Sequence, residues 1–155
     1  MPTKQTSSRA RSKKSRGQSA SSQAGEYVRE VIHKVRGGEY GARSTKQAIA
    51  IGLSKARRAG VELPPPKRGS ASKKTRDKAK ADSDAGHGKS HGKTSTRTSA
   101  KRSRATRSAL KREGRSSASH AALSRHARKA AAGRSAASRS ASARRAAKTR
   151  RKSGR

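Results

Sequence analysis

The stretch ARSTKQAIAIGLSKARRAG, Ala42–Gly60, carries the local marks of a helix that starts, runs and stops. Ser44 stands where a side-chain cap belongs, with Gln47 three residues on, the S-x-x-Q capping box. At 3.6 residues per turn Ile49, Leu53 and Ala56 share one face. Ala48, Gly52 and Ala59 flank it and are small enough to let another helix approach closely. Arg57 and Arg58 fall in the last turn, where positive charge suits the helix dipole. Gly60 suits the left-handed position just past the end, and Val61 can fold back on Ala56 as in a Schellman ending. These features predict a helix over about residues 45–59. Ile51 is out of pattern: it points toward Gln47, Ser54 and Arg58, and marks a second contact such as another subunit.

Working outward, residues 23–36 predict a partner helix. Ser22 is its expected cap, and Glu26 lies near the positive end of the dipole. Ala24, Tyr27, Val28, Val31, Ile32 and Val35 fall on one arc, a core-facing stripe, with Arg29, Glu30, His33 and Arg36 opposite. Glu30 and Lys34 make a favourable i,i+4 pair. Gly37-Gly38 closes the helix. The short link to Arg43 makes the pair an antiparallel hairpin spanning residues 21–63. So small a unit buries too little apolar surface to offset its ordering entropy alone, so we expect it to form a homodimer or to be ordered by its ligand.

Beyond the hairpin the composition changes. The chain has 155 residues, 43 Lys and Arg against 8 acids, a formal charge of +35, two Tyr and neither Phe nor Trp. From Lys67 onward only Leu110 and Leu123 are large and apolar. High charge with few large side chains predicts disorder. The expected fold is therefore a mostly disordered chain with one small all-α hairpin: a disordered basic arm over 1–20, the hairpin, a Pro-rich border over 64–69 opened by Pro64-Pro65-Pro66, and a disordered basic tail over 70–155. Within that tail SALKRE (Ser108–Glu113) and SHAALSRHARKAAA (Ser119–Ala132) become helical once phosphates neutralise their charge.

The composition also bounds function. Cysteine is absent, which removes disulfide and thiolate-metal chemistry. No apolar run approaches the ~20 residues of a membrane span, and the basic N-terminus lacks the apolar segment of a signal peptide. AGHGKSHGK (Ala85–Lys93) imitates the end of a phosphate loop, but Ser83 stands where its first glycine belongs and no strand is expected before it. His87 and His91 have metal-like spacing without a third ligand or a rigid scaffold. With acids scarce, no catalytic set is held together; we expect no enzyme, no metal, no cofactor and no small-molecule substrate.

The positive charge is the strongest signal. Lys and Arg that neutralise phosphates release counterions and bind nucleic acid whatever its sequence. The lack of aromatic platforms argues against single-strand stacking and points to double-stranded DNA, with structured RNA as the alternative partner. The expected contacts are Arg43, Lys46, Lys55, Arg57 and Arg58 beside the second helix, and, in the tail, Lys101, Arg102, Arg104, Arg107, Lys111, Arg112, Arg144, Arg145, Lys148, Arg150, Arg151 and Lys152.

Residues 22–69, and GARSTKQAIAIGLSKARRAGV (Gly41–Val61) above all, resemble an uncharacterised family of small basic bacterial proteins, some of them labelled plasmid-stabilisation or DNA-binding proteins. The resemblance implies a bacterial source and supplies no catalytic residues. The tail is similar, in composition only, to the ends of linker-histone-like nucleoid proteins. Together these readings predict a cytoplasmic, nucleoid-associated protein that binds and compacts DNA without catalysis. An RNA- or ribosome-associated protein and a plasmid-maintenance or protein-interaction module are the alternatives.

Overall fold

A computed structural model describes residues 2–88 and 96–153. Among these residues it is all-helical: α1 (Lys4–Ser15), α2 (Ala20–Arg36), α3 (Thr45–Arg58), α4 (Lys73–Gly86), α5 (Thr96–Arg112), a 3-10 turn (Ser116–Ala118), α6 (His120–Ala132) and α7 (Ala136–Ser153). The expectation of a mostly disordered chain with long disordered arms is overturned. The basic arm is α1, and the tail is built of α4 to α7. None of the helices found in the described residues is long and apolar enough to cross a membrane. The chain divides into two compact units, residues 1–119 and 120–155.

The first unit is built on the α2–α3 hairpin, and its local chemistry is as the sequence predicts. Ser44 caps α3 by accepting from the Gln47 N–H at 3.2 Å. The Gln47 side chain reaches back one residue further than a capping box requires, taking the Arg43 N–H at 2.8 Å. At the far end Gly60 adopts φ +82°, and the N–H groups of Gly60 and Val61 close on the carbonyls of Arg57 and Ala56, the Schellman pair. Gly38 ends α2 in the same way at φ +79°. The start of α2 differs from the reading above: Ser19, not Ser22, is the cap, and the helix begins at Ala20.

Gly52 sets the distance between the two helices. A methyl group placed on it would lie 2.6 Å from the Val28 Cα, so the α3 backbone rests directly on α2. Around this crossing lie two clusters. One gathers Ala10, Ala24, Tyr27, Ala56 and Val61, with Leu53 and Leu63 packed against it. The other gathers Val31, Val35, Ala42, Ala48 and Ala118, with Ile32, Tyr40 and Ile51 at its edge. Ile51 therefore packs against the chain's own core, which corrects its assignment to a contact with another subunit.

The missing burial comes from segments assigned to disorder. Helix α1 lies on α2: Ala10 enters the first cluster, and Lys13 pairs with Glu26 and donates to the Ser22 carbonyl at 3.3 Å. Helix α4 lies on α3, with Ala79 buried, the Ser54 hydroxyl donating to Asp82 at 2.6 Å, and Gly86 so close to the Arg57 carbonyl that no side chain fits. The 3-10 turn bridges the helix ends. Arg36 donates to the Ala118 carbonyl and Thr45 to that of Ser117, each at 2.7 Å. The hairpin is thus covered by α1, α4 and this turn, which supply the burial that it lacks alone.

The second unit is a helix pair, α6 and α7, joined at Gly133–Ser135. The hydroxyl of Ser135 caps α7, accepting from the Ser138 N–H at 3.2 Å. Arg134 and Arg139 grip the joint through the carbonyls of Ser138 and Arg134, both at 2.9 Å. Little is buried here, and the helices rest on local preference: alanine carries the highest helix propensity and Arg and Lys follow closely. Weighing burial alone led to the expectation of disorder.

Candidate nucleic-acid interface

The cations named from sequence fall into three groups. Arg43, Lys46 and Arg58 are exposed around α3. Arg43 stands just before the Ser44 cap, its Nε 3.3 Å from Glu113 on the rim.

Lys55 and Arg57 are turned inward. Arg57 is 8% exposed, and its guanidinium donates to the Leu63 carbonyl at 3.4 Å and the Pro64 carbonyl at 3.1 Å. It fixes the proline border to the end of α3. Lys55 donates to the Tyr40 hydroxyl at 3.4 Å, with its ammonium 5.6 Å from the ring centre and 3.9 Å from Glu30. Burial lowers the Lys55 pKa, and Glu30 opposes that shift without cancelling it. Tyr40 is pushed up to about 12, first by burial and then by the carboxylates of Glu30 and Glu39.

These side chains surround Glu30, which sequence reasoning placed on the solvent face. It is 8% exposed because α1 covers it. One carboxylate oxygen accepts from the Thr3 N–H at 3.2 Å; the other lies 3.6 Å from Lys34 and 3.9 Å from Lys55. Burial acts to raise its pKa, but the Thr6 hydroxyl, the Thr3 N–H and the two ammonium groups outweigh it and hold the carboxyl below its ordinary 4.5. The signal was present in sequence: acids on a helix flanked by a basic segment attract that segment. The cluster is an internal clamp that holds α1 to the hairpin.

The third group carries the free charge. Lys101, Arg102, Arg104, Arg107, Lys111 and Arg112 are all exposed on α5. Arg144, Arg145, Lys148, Arg150 and Arg151 are exposed on α7, which also contains Lys152. Sequence reasoning left out Arg125, Arg128 and Lys129, which are exposed on α6. Residues 96–155 hold 20 Lys and Arg and a single acid, Glu113. The near absence of acids was the available sign that α6 belongs with α5 and α7.

Among the described residues, α5 is fixed at its C-terminal end. The Gly41 N–H donates to the Leu110 carbonyl at 2.7 Å and the Ala42 N–H to that of Gly114 at 3.2 Å. Gly41 lies against the Glu113 backbone with no room for a side chain. Residues 100–109 are exposed throughout.

Other chemistry finds little material. Among the described residues no three His, Cys, Asp or Glu are grouped to hold a metal. A cleft of about 390 Å³ between α1 and the end of α3 is lined by Ser7, Arg11, Lys14, Gln23 and Tyr27, with no acid or histidine. Ser83 lies in α4, a helix; the phosphate-loop-like run from Lys89 and His91 lies outside the described residues.

Residues 11–68 match the model of a family of unknown function, DUF6496. The matched region runs from within α1 through α3 to the proline border, so α4 to α7 lie outside it. Neither a curated protein nor a solved structure matches the chain.

Proposed function

We propose that this protein binds double-stranded DNA largely independently of sequence and compacts it, as a non-catalytic, nucleoid-associated protein. The observation that supports this reading is the exposed charge of α5, α6 and α7, which have almost no acid to balance them. Phosphates along a duplex are the matching polyanion, and their neutralisation releases counterions. Arg43, Lys46 and Arg58 add charge beside α3, whereas Lys55 and Arg57 serve the fold.

The α1–α4 assembly is the platform that carries α5. The resemblance to small basic bacterial proteins fits this reading, and plasmid maintenance is one process such binding would serve. The test is titration of the full chain against several unrelated duplexes of equal length at one stated salt concentration. Affinities within about threefold of one another are expected, because phosphate contacts carry no sequence information. A preference of about a thousandfold for one sequence would make it a specific reader instead.

A further inference from the structure

We propose that α5, and α7 with the same composition, bind B-form DNA by lying in its major groove. This rests on the DNA-binding reading above and adds the groove, the elements and the reason for DNA over RNA.

The first observation is the width of these helices. From Thr96 to Ala109 every residue that is not Lys or Arg is Ala, Ser or Thr. The same is true of α7 from Ala136 to Ser153. A helix so trimmed stays near the lower end of the about 10–12 Å that an α-helix spans with its side chains. The major groove of B-DNA is about 12 Å wide and about 8.5 Å deep; the minor groove, at about 6 Å, excludes a helix. The major groove of A-form RNA is too deep and narrow for a helix to read.

The second observation is the placing of the charge. At 3.6 residues per turn, Lys101, Arg104, Arg107, Lys111 and Arg112 fall within an arc of about 140°. Ala100 and Ser108 lie between them on that arc, and Ala105 stands just outside its edge. The long cations reach outward to the phosphates that line both walls of the groove. The methyl groups and hydroxyls between them meet the base edges without clash and without demanding one sequence. On α7, Arg144, Lys148 and Arg151 repeat the arrangement at intervals of four and three residues.

The third observation is the mounting of α5, held at Leu110–Gly114 against Gly41 and Ala42, with residues 100–109 exposed. A disordered basic arm would suit the minor groove, where single arginines insert. A preformed helix does not fit there, and the major groove follows from the helical state.

The test uses the full chain and four probes of one duplex sequence at a fixed salt concentration: plain DNA, DNA with its major groove filled by glucosylated hydroxymethylcytosine, DNA with its minor groove occupied by netropsin, and the RNA duplex. Glucosylation is expected to weaken binding by about tenfold or more, netropsin to change it by less than about twofold, and the RNA duplex to bind about tenfold more weakly. Unchanged affinity for glucosylated DNA overturns the groove assignment and leaves DNA binding standing. So does displacement by netropsin, or equal affinity for the RNA duplex. Failure to bind any of the duplexes overturns both readings.

Discussion

At the scale of single residues, two positions carry consequences out of proportion to their size. Gly52 is the contact point of α2 and α3, and its missing side chain is what allows the crossing. Gly52→Ala should destabilise the first unit by about 1–3 kcal/mol, since the Val28 backbone has to move. Thermal unfolding followed by circular dichroism reads the loss, and an unchanged midpoint would contradict the packing. Glu30 makes stability depend on pH. Its carboxyl pKa lies below the ordinary 4.5, so its contribution is complete above that value and is lost as the pH falls through the depressed one. Chemical unfolding at a series of pH values should show this loss in the wild type and a shallower one in Glu30→Gln. Equal acid sensitivity would rule Glu30 out as the source.

At the scale of elements, α1 is held by charge as much as by apolar contact. Glu26 is buried beneath it and pairs with Lys13. Glu26→Gln should weaken the docking of α1 by about 1–3 kcal/mol, which speeds amide exchange in residues 4–15 by about 5- to 150-fold while exchange in α3 holds. Uniform acceleration across the unit would mean that α1 does not open separately. The hairpin was legible in sequence because its signals are local: the Ser44 cap, the Gly60 ending, and the stripes from Ala24 to Val35 and from Ile49 to Ala56. The helical state of α1, α4 and α7 was not, and parts of α5 and α6 were expected to be helical only once phosphates neutralise their charge. Their burial is slight, so a test based on large apolar residues passes over them, although Thr3, Ser72 and Ser135 each stand as caps. Glu30 and Ile51 were misplaced for a related reason. A helical wheel shows one face of a pair and cannot show a third segment that covers the other.

At the scale of the whole molecule, charge is divided by role. The eight acids all fall in the first unit, and Glu26, Glu30, Glu39 and Glu113 pair there with cations, as Glu30 does with Lys34 and Lys55. Among the described residues, the last third of the chain keeps its cations exposed. Among the seventeen cations singled out by sequence, composition identified the exposed sets on α5 and α7. It had no means to separate Arg57 from Arg58, because their difference lies in the carbonyls of Leu63 and Pro64 folding back onto one of them. The central claim is that these exposed cations neutralise phosphates. The most direct measurement is the affinity of the full chain for one duplex across a range of salt concentrations. The account predicts a slope of log affinity against log salt steeper than about −5, near −0.9 for each phosphate neutralised. A slope between zero and about −2 would contradict it.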